Sequence, residues 1–61
     1  MAKITTKELD ELDHILTSEQ NLVTKFKHYA SNTTDPKLKA QFKQIAEQHQ
    51  AHFDTLMGML K

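Results

Sequence analysis

The chain has 61 residues and 7.1 kDa, with eight lysines against eight acidic side chains, no arginine, no cysteine, one glycine and one proline. Without cysteine there is no disulfide scaffold, zinc-thiolate finger or cysteine nucleophile, and zero net charge without a guanidinium fork argues against nucleic acid. A chain this short buries only about 60% of its unfolded surface, so it forms one domain whose core calls for a second copy or a metal as support.

No apolar run reaches the roughly 18 to 20 residues of a membrane span, and Met1-Ala2-Lys3-Ile4 is not followed by the apolar stretch of a secretion signal. The expectation is a soluble, cytoplasmic protein with neither membrane nor nucleic acid as partner.

Thr5-Thr6-Lys7-Glu8 fits a capping box, with Ile4 and Leu9 at the staple positions. Beyond it, Leu9, Leu12, Leu16, Glu19, Val23, Phe26 and Ala30 recur at spacings of three and four, and Ile15, Leu22 and Tyr29 widen the stripe along one flank. The pattern predicts a helix over about 6–30. Ser31-Asn32-Thr33-Thr34 competes for backbone hydrogen bonds and predicts a turn over about 31–35, and Asp35-Pro36 supplies an N-cap and a first-turn proline. A second helix over about 36–58 follows from Leu38, Phe42, Ile45, His49, His52, Leu56 and Met59, flanked by Ala46, Phe53 and Leu60, with Gly58 unwinding its last turn.

The fold class predicted is all-α: one antiparallel helical hairpin over 1–61. Each helix carries an apolar face wider than one partner can cover, so the hairpin is expected to pair as a homodimer, or a higher homo-oligomer, closing a four-helix bundle. Charge is uneven along the chain. Residues 1–20 hold two lysines and five acids, whereas 25–43 hold five lysines and one acid. Two hairpins packed turn to open end match opposite signs, which selects orientation more than it adds stability.

Three polar residues interrupt the apolar seam: Glu19, His49 and His52. With a turn near Thr33 and Thr34, Glu19 falls opposite His49, and Leu16 falls beside His52. A carboxylate and two imidazoles at one level are the candidate metal ligands of this chain, suited to zinc, iron, manganese or nickel. They fit equally a hydrogen-bonded polar core that fixes register. His14 and His28 fall on the outer face of the first helix. Phe26, Phe42 and Phe53 are core by spacing, and Met57 and Met59 are expected as flexible core filler. With no nucleophile elbow, glycine-rich phosphate loop or paired catalytic carboxylates, the sequence offers no catalytic residue.

Glu19-Gln20, Lys25 through Tyr29-Ala30, Asp35-Pro36-Lys37-Leu38-Lys39, Ile45-Ala46, His49-Gln50 and His52 together resemble the small spore-coat F-like proteins of spore-forming Firmicutes, within the ferritin-like superfamily. The resemblance runs from about Thr6 to Leu60. It implies half of a ferritin-like bundle per chain, a setting in the sporulating cell and its spore coat, and other coat proteins as partners. Ferritin-like di-metal proteins draw a Glu from one helix and a Glu-x-x-His from the next. On that pattern Glu19 resembles the first carboxylate and His52 the histidine, with His49 where a bridging glutamate is expected. Loss of that carboxylate argues against di-iron oxygen chemistry. What the resemblance leaves is a structural, self-associating hairpin, or alternatively a metal-binding one that uses Glu19, His49 and His52 with iron, manganese or zinc for storage, sensing or weak redox chemistry.

Overall fold

The computed structural model describes residues 4–60, folded as two helices: α1 over Thr6–Asn32 and α2 over Pro36–Gly58. Lys3 and Lys61, counted in the charge balance above, lie outside these residues. The helices pack side by side and antiparallel, placing Phe26 against Phe42 and Glu19 against His49.

Both N-termini are closed by the chemistry their sequences supply. The Thr5 hydroxyl accepts the Glu8 amide at 3.1 Å, and Glu8 Oε1 accepts the Thr5 amide at 3.1 Å and its hydroxyl at 2.9 Å. Those hydrogen bonds, the backbone one foremost, lower the Glu8 pKa from its ordinary value. A depressed carboxyl contributes stability above its unfolded pKa, and loses it as pH falls through the folded one. Substituting Glu8→Gln is therefore expected to separate the melting temperatures of variant and parent near neutral pH. The gap closes in acid, below the carboxylate range, which a pH series of thermal melts reads directly.

At α2, Asp35 Oδ1 accepts from the amides of Lys37 at 2.8 Å and Leu38 at 3.3 Å, and Pro36 occupies the first turn, where a missing N–H costs nothing. An Asp35→Ala substitution is expected to cost about 1 kcal/mol, read as a shift in the urea midpoint.

Helix α1 continues two residues beyond the predicted Ala30. The Thr33 amide still reaches the Tyr29 carbonyl at 3.1 Å, and Asn32 Nδ2 donates to the His28 carbonyl at 3.0 Å, so the amide side chain supports the last turn it was expected to break. The reversal is left to Thr33, Thr34 and Asp35, with the Thr33 hydroxyl accepting from the Asp35 amide at 3.2 Å. At the other end Gly58 closes α2 without a left-handed residue, and the Met59 cap stays right-handed.

The interior is thin. Leu16, Val23 and Ala30, spaced by seven along α1, are buried with Ala46 of α2, and among the described residues no side chain is fully enclosed. Ala30 and Ala46 are the small residues that let the helices approach; Ala46→Leu is expected to overpack the seam and cost about 1–3 kcal/mol, with urea unfolding as the readout. Phe26, Phe42 and Phe53 are half-buried. Ile4, Leu9, Ile15, Tyr29, Leu38, Met57, Met59 and Leu60 remain 40–52% exposed. Met57 and Met59, expected as core filler, therefore stand half-open on the surface of the hairpin, Met59 at the edge of a groove with Ile4, Leu12 and Ile15.

The rod measures 46 × 17 × 11 Å, with a radius of gyration of 14.4 Å, where a compact chain of this length has about 10.5 Å. Its surface is 4948 Å²; a compact monomer of this mass exposes about 4,100 Å². The two long sides differ. One groove between the helices is lined by Lys27, Lys39 and Lys43 with Ala30 and Ser31, so that lysine stems roof the small residues of the seam. Grooves elsewhere along the rod are lined by Ile15, Leu56, Glu19 and His52, and by Tyr29 and Phe42. None of the helices among the described residues is long and apolar enough to cross a membrane.

Candidate metal centre

Glu19 stands at the centre of α1, with as many helical residues before it as after, and His49 lies two residues past the centre of α2. Antiparallel packing of helices with a three-residue connection brings these mid-points to one level. The spacing of His49 and His52 then sets both rings on the side of α2 that meets Glu19.

Glu19 Oε2 lies 3.2 Å from His49 Nδ1 and 3.2 Å from His52 Nδ1, while Glu19 Oε1 lies 3.3 Å from His49 Nδ1. One carboxylate therefore engages both imidazoles. His52, expected beside Leu16, reaches Glu19. The His49 ring stacks on Phe26 at 6.3 Å and 18°, which fixes its plane, and the two imidazoles meet edge to face at 5.8 Å and 84°. Phe26 is held in turn against Tyr29 at 5.6 Å and Phe42 at 6.0 Å. The aromatic cluster is the support that positions the first histidine.

Exposure rises steeply across the set. The side chain of Glu19 is 14% exposed and that of His49 24%, whereas His52 is 65% exposed. The centre thus opens on one side, in the groove lined by Ile15, Glu19, His52, Thr55 and Leu56. Among the described residues no buried side-chain polar atom lacks a hydrogen-bond partner.

The donor set has two chemistries available. With Nδ1–H donating from His49, Glu19 is a carboxylate hydrogen-bonded to one imidazole, with the second, that of His52, 3.2 Å away. With both Nδ1 atoms unprotonated, the same atoms present one oxygen and two nitrogens to a cation. Ligand atoms bound about 2.0–2.1 Å from a tetrahedral zinc ion stand about 3.3 Å apart, close to the 3.2 Å separations here. Glu19, His49 and His52 could hold a metal, since one ligand atom from each lies within 4.8 Å of the others. Three ligands would leave a tetrahedral ion one short.

His14 and His28 are both exposed on α1, and His28 Nε2 pairs with Asn32 Nδ2 at 2.9 Å, away from the centre. They add no ligand. Sequence reasoning found all three members of the cluster, but the contact between Glu19 and His52 depends on how α2 is rotated about its own axis, which periodicity does not specify. Compared with family profiles, with characterised proteins and with solved structures, the chain matches none.

Proposed function

We propose that the chain is a self-associating structural hairpin, two copies of which close a four-helix bundle. The observation that carries the reading is the surface left open by a complete pair of helices: the 4948 Å² of total surface exceeds the compact expectation by roughly the 800 Å² that one partner contributes to a standard interface. The area is apolar where it matters, with Ile15, Tyr29, Leu38 and Met59 standing uncovered.

Charge favours a second copy of the same chain as the occupant. The open end carries Glu8, Asp10, Glu11 and Asp13, the turn end carries Lys25, Lys27, Lys37, Lys39 and Lys43, and among the described residues the ion pairs formed are those of Glu19 with its histidines. Glu8 and Glu11 border the apolar groove that holds Ile4, Leu12, Ile15 and Met59. Lys25 shares the flank of Leu22 and Tyr29 by its spacing. A copy packed turn to open end sets these signs against each other, whereas a parallel copy sets like against like. Lys27, Lys39 and Lys43 line the far side and act only through the longer-range field.

Association coupled to folding makes the melting temperature rise with protein concentration. A thermal melt that shifts upward across a hundredfold dilution series, read from high dilution to low, supports the reading. A concentration-independent melt of a folded chain opposes it. The resemblance to spore-coat F-like proteins extends the proposal to a component of a spore coat, where such bundles would pack with other coat proteins; unchanged spore assembly and resistance on deletion would count against that setting.

A second reading is favoured by the geometry of Glu19, His49 and His52: binding of a divalent ion, iron, manganese or zinc, within the bundle. It is compatible with the first. The two readings meet at the open side of His52.

A further inference from the structure

We infer that the metal centre is completed by the second copy, so that divalent metal binding and self-association are one linked equilibrium. The inference rests on the association proposed above. Its ground is the placement of the cluster in the rod.

A two-fold axis that sets one hairpin turn to open end against another, in full overlap, crosses the rod at mid-height. Residues away from mid-height meet residues from the opposite end. Those at mid-height meet their own counterparts. Glu19, the central residue of α1, and His49, two residues past the centre of α2, lie at that level. The cluster also opens through His52 into the groove of Ile15 and Leu56, on the apolar side a second copy would cover. A copy seated over that groove brings the same three residues to the open side of the cluster.

Ligand chemistry narrows the cation. Four imidazoles and two carboxylates in a water-poor interface suit a borderline ion such as zinc or cobalt better than magnesium or calcium, which take oxygen donors. Two Glu19 carboxylates also offset the charge of one divalent ion, and an uncompensated charge would be costly there. Without metal, the two clusters bring two carboxylates toward each other across the axis. The ion removes that repulsion, which is why it strengthens the dimer instead of merely occupying it.

The test is sedimentation equilibrium of the full chain, stripped with chelator and then titrated with zinc, alongside His52→Ala. His52 is exposed in the single hairpin, so its loss leaves the fold intact. Glu19→Gln serves as a second variant that keeps the side-chain shape while removing the charge. At zinc one hundred times its dissociation constant, each bound ion tightens the dimer about 100-fold. The shift is expected to vanish in both variants and to persist in a His14→Ala, His28→Ala control. A dimer whose dissociation constant is the same with and without zinc overturns this inference while leaving self-association standing. A folded monomer under every condition overturns self-association itself.

Discussion

Substituting Phe26→Ala is expected to remove about 3 kcal/mol from the stability of the chain. The ring touches Tyr29, Phe42 and His49, linking the two helices at the level just above the Glu19 cluster. Truncating a buried phenylalanine costs about 3–5 kcal/mol, and the half-buried Phe26 belongs near the lower value. A chain of 61 residues has only about 3–9 kcal/mol in total. The loss also withdraws the surface on which His49 stacks, so whatever metal affinity exists should fall with it. Urea unfolding followed by circular dichroism reads the effect. A change of midpoint equivalent to less than about 1 kcal/mol would show that the aromatic cluster is not the core it is taken to be.

The second large effect is expected from Ile15→Glu. In the single hairpin Ile15 is 48% exposed, so the helix itself should tolerate the change. In the proposed dimer the new carboxylate is buried among apolar side chains at the interface, four residues from Glu19 on the same helix, where it adds a like charge. An unpaired charge forced into an interface costs about 3–5 kcal/mol, which loosens the dimer by about two orders of magnitude or more. Lys27→Glu, on the far side of the rod, is the contrasting variant and should leave association within a few-fold. If the two variants behaved alike, the apolar side would not be the interface.

These expectations show how unequally the sequence reveals the fold and the site. Thr5 with Glu8, and Asp35 with Pro36, announce their helices because each cap is satisfied within four residues of chain, and local chemistry is visible in local sequence. The opposition of Glu19 and His49 follows from the position of the turn, since two long helices joined by a short connection have little freedom of register. Asn32 misled for the same reason that Asp35 did not: its side chain can compete with the helix or serve it, and here it donates back to the His28 carbonyl.

Rotation about the helix axes was less legible. Periodicity places Met57 and Met59 near the apolar stripe but does not say how much of them another surface covers, and in the hairpin they stay 40% and 52% exposed. The same angle decides that Lys27, Lys39 and Lys43 roof one side of the seam while Ile15 and Tyr29 stay bare elsewhere. It also decides that His52 shares the Glu19 carboxylate. A stripe gives the width of an apolar face; the division of that face between a neighbour already present and one still to arrive belongs to tertiary packing.

The measurement that bears most directly on self-association is the mass of the chelator-treated chain in solution at micromolar concentration, by sedimentation equilibrium with helicity recorded on the same sample. The uncovered apolar surface predicts a helical particle of twice 7.1 kDa. A fully helical particle of 7.1 kDa would contradict it.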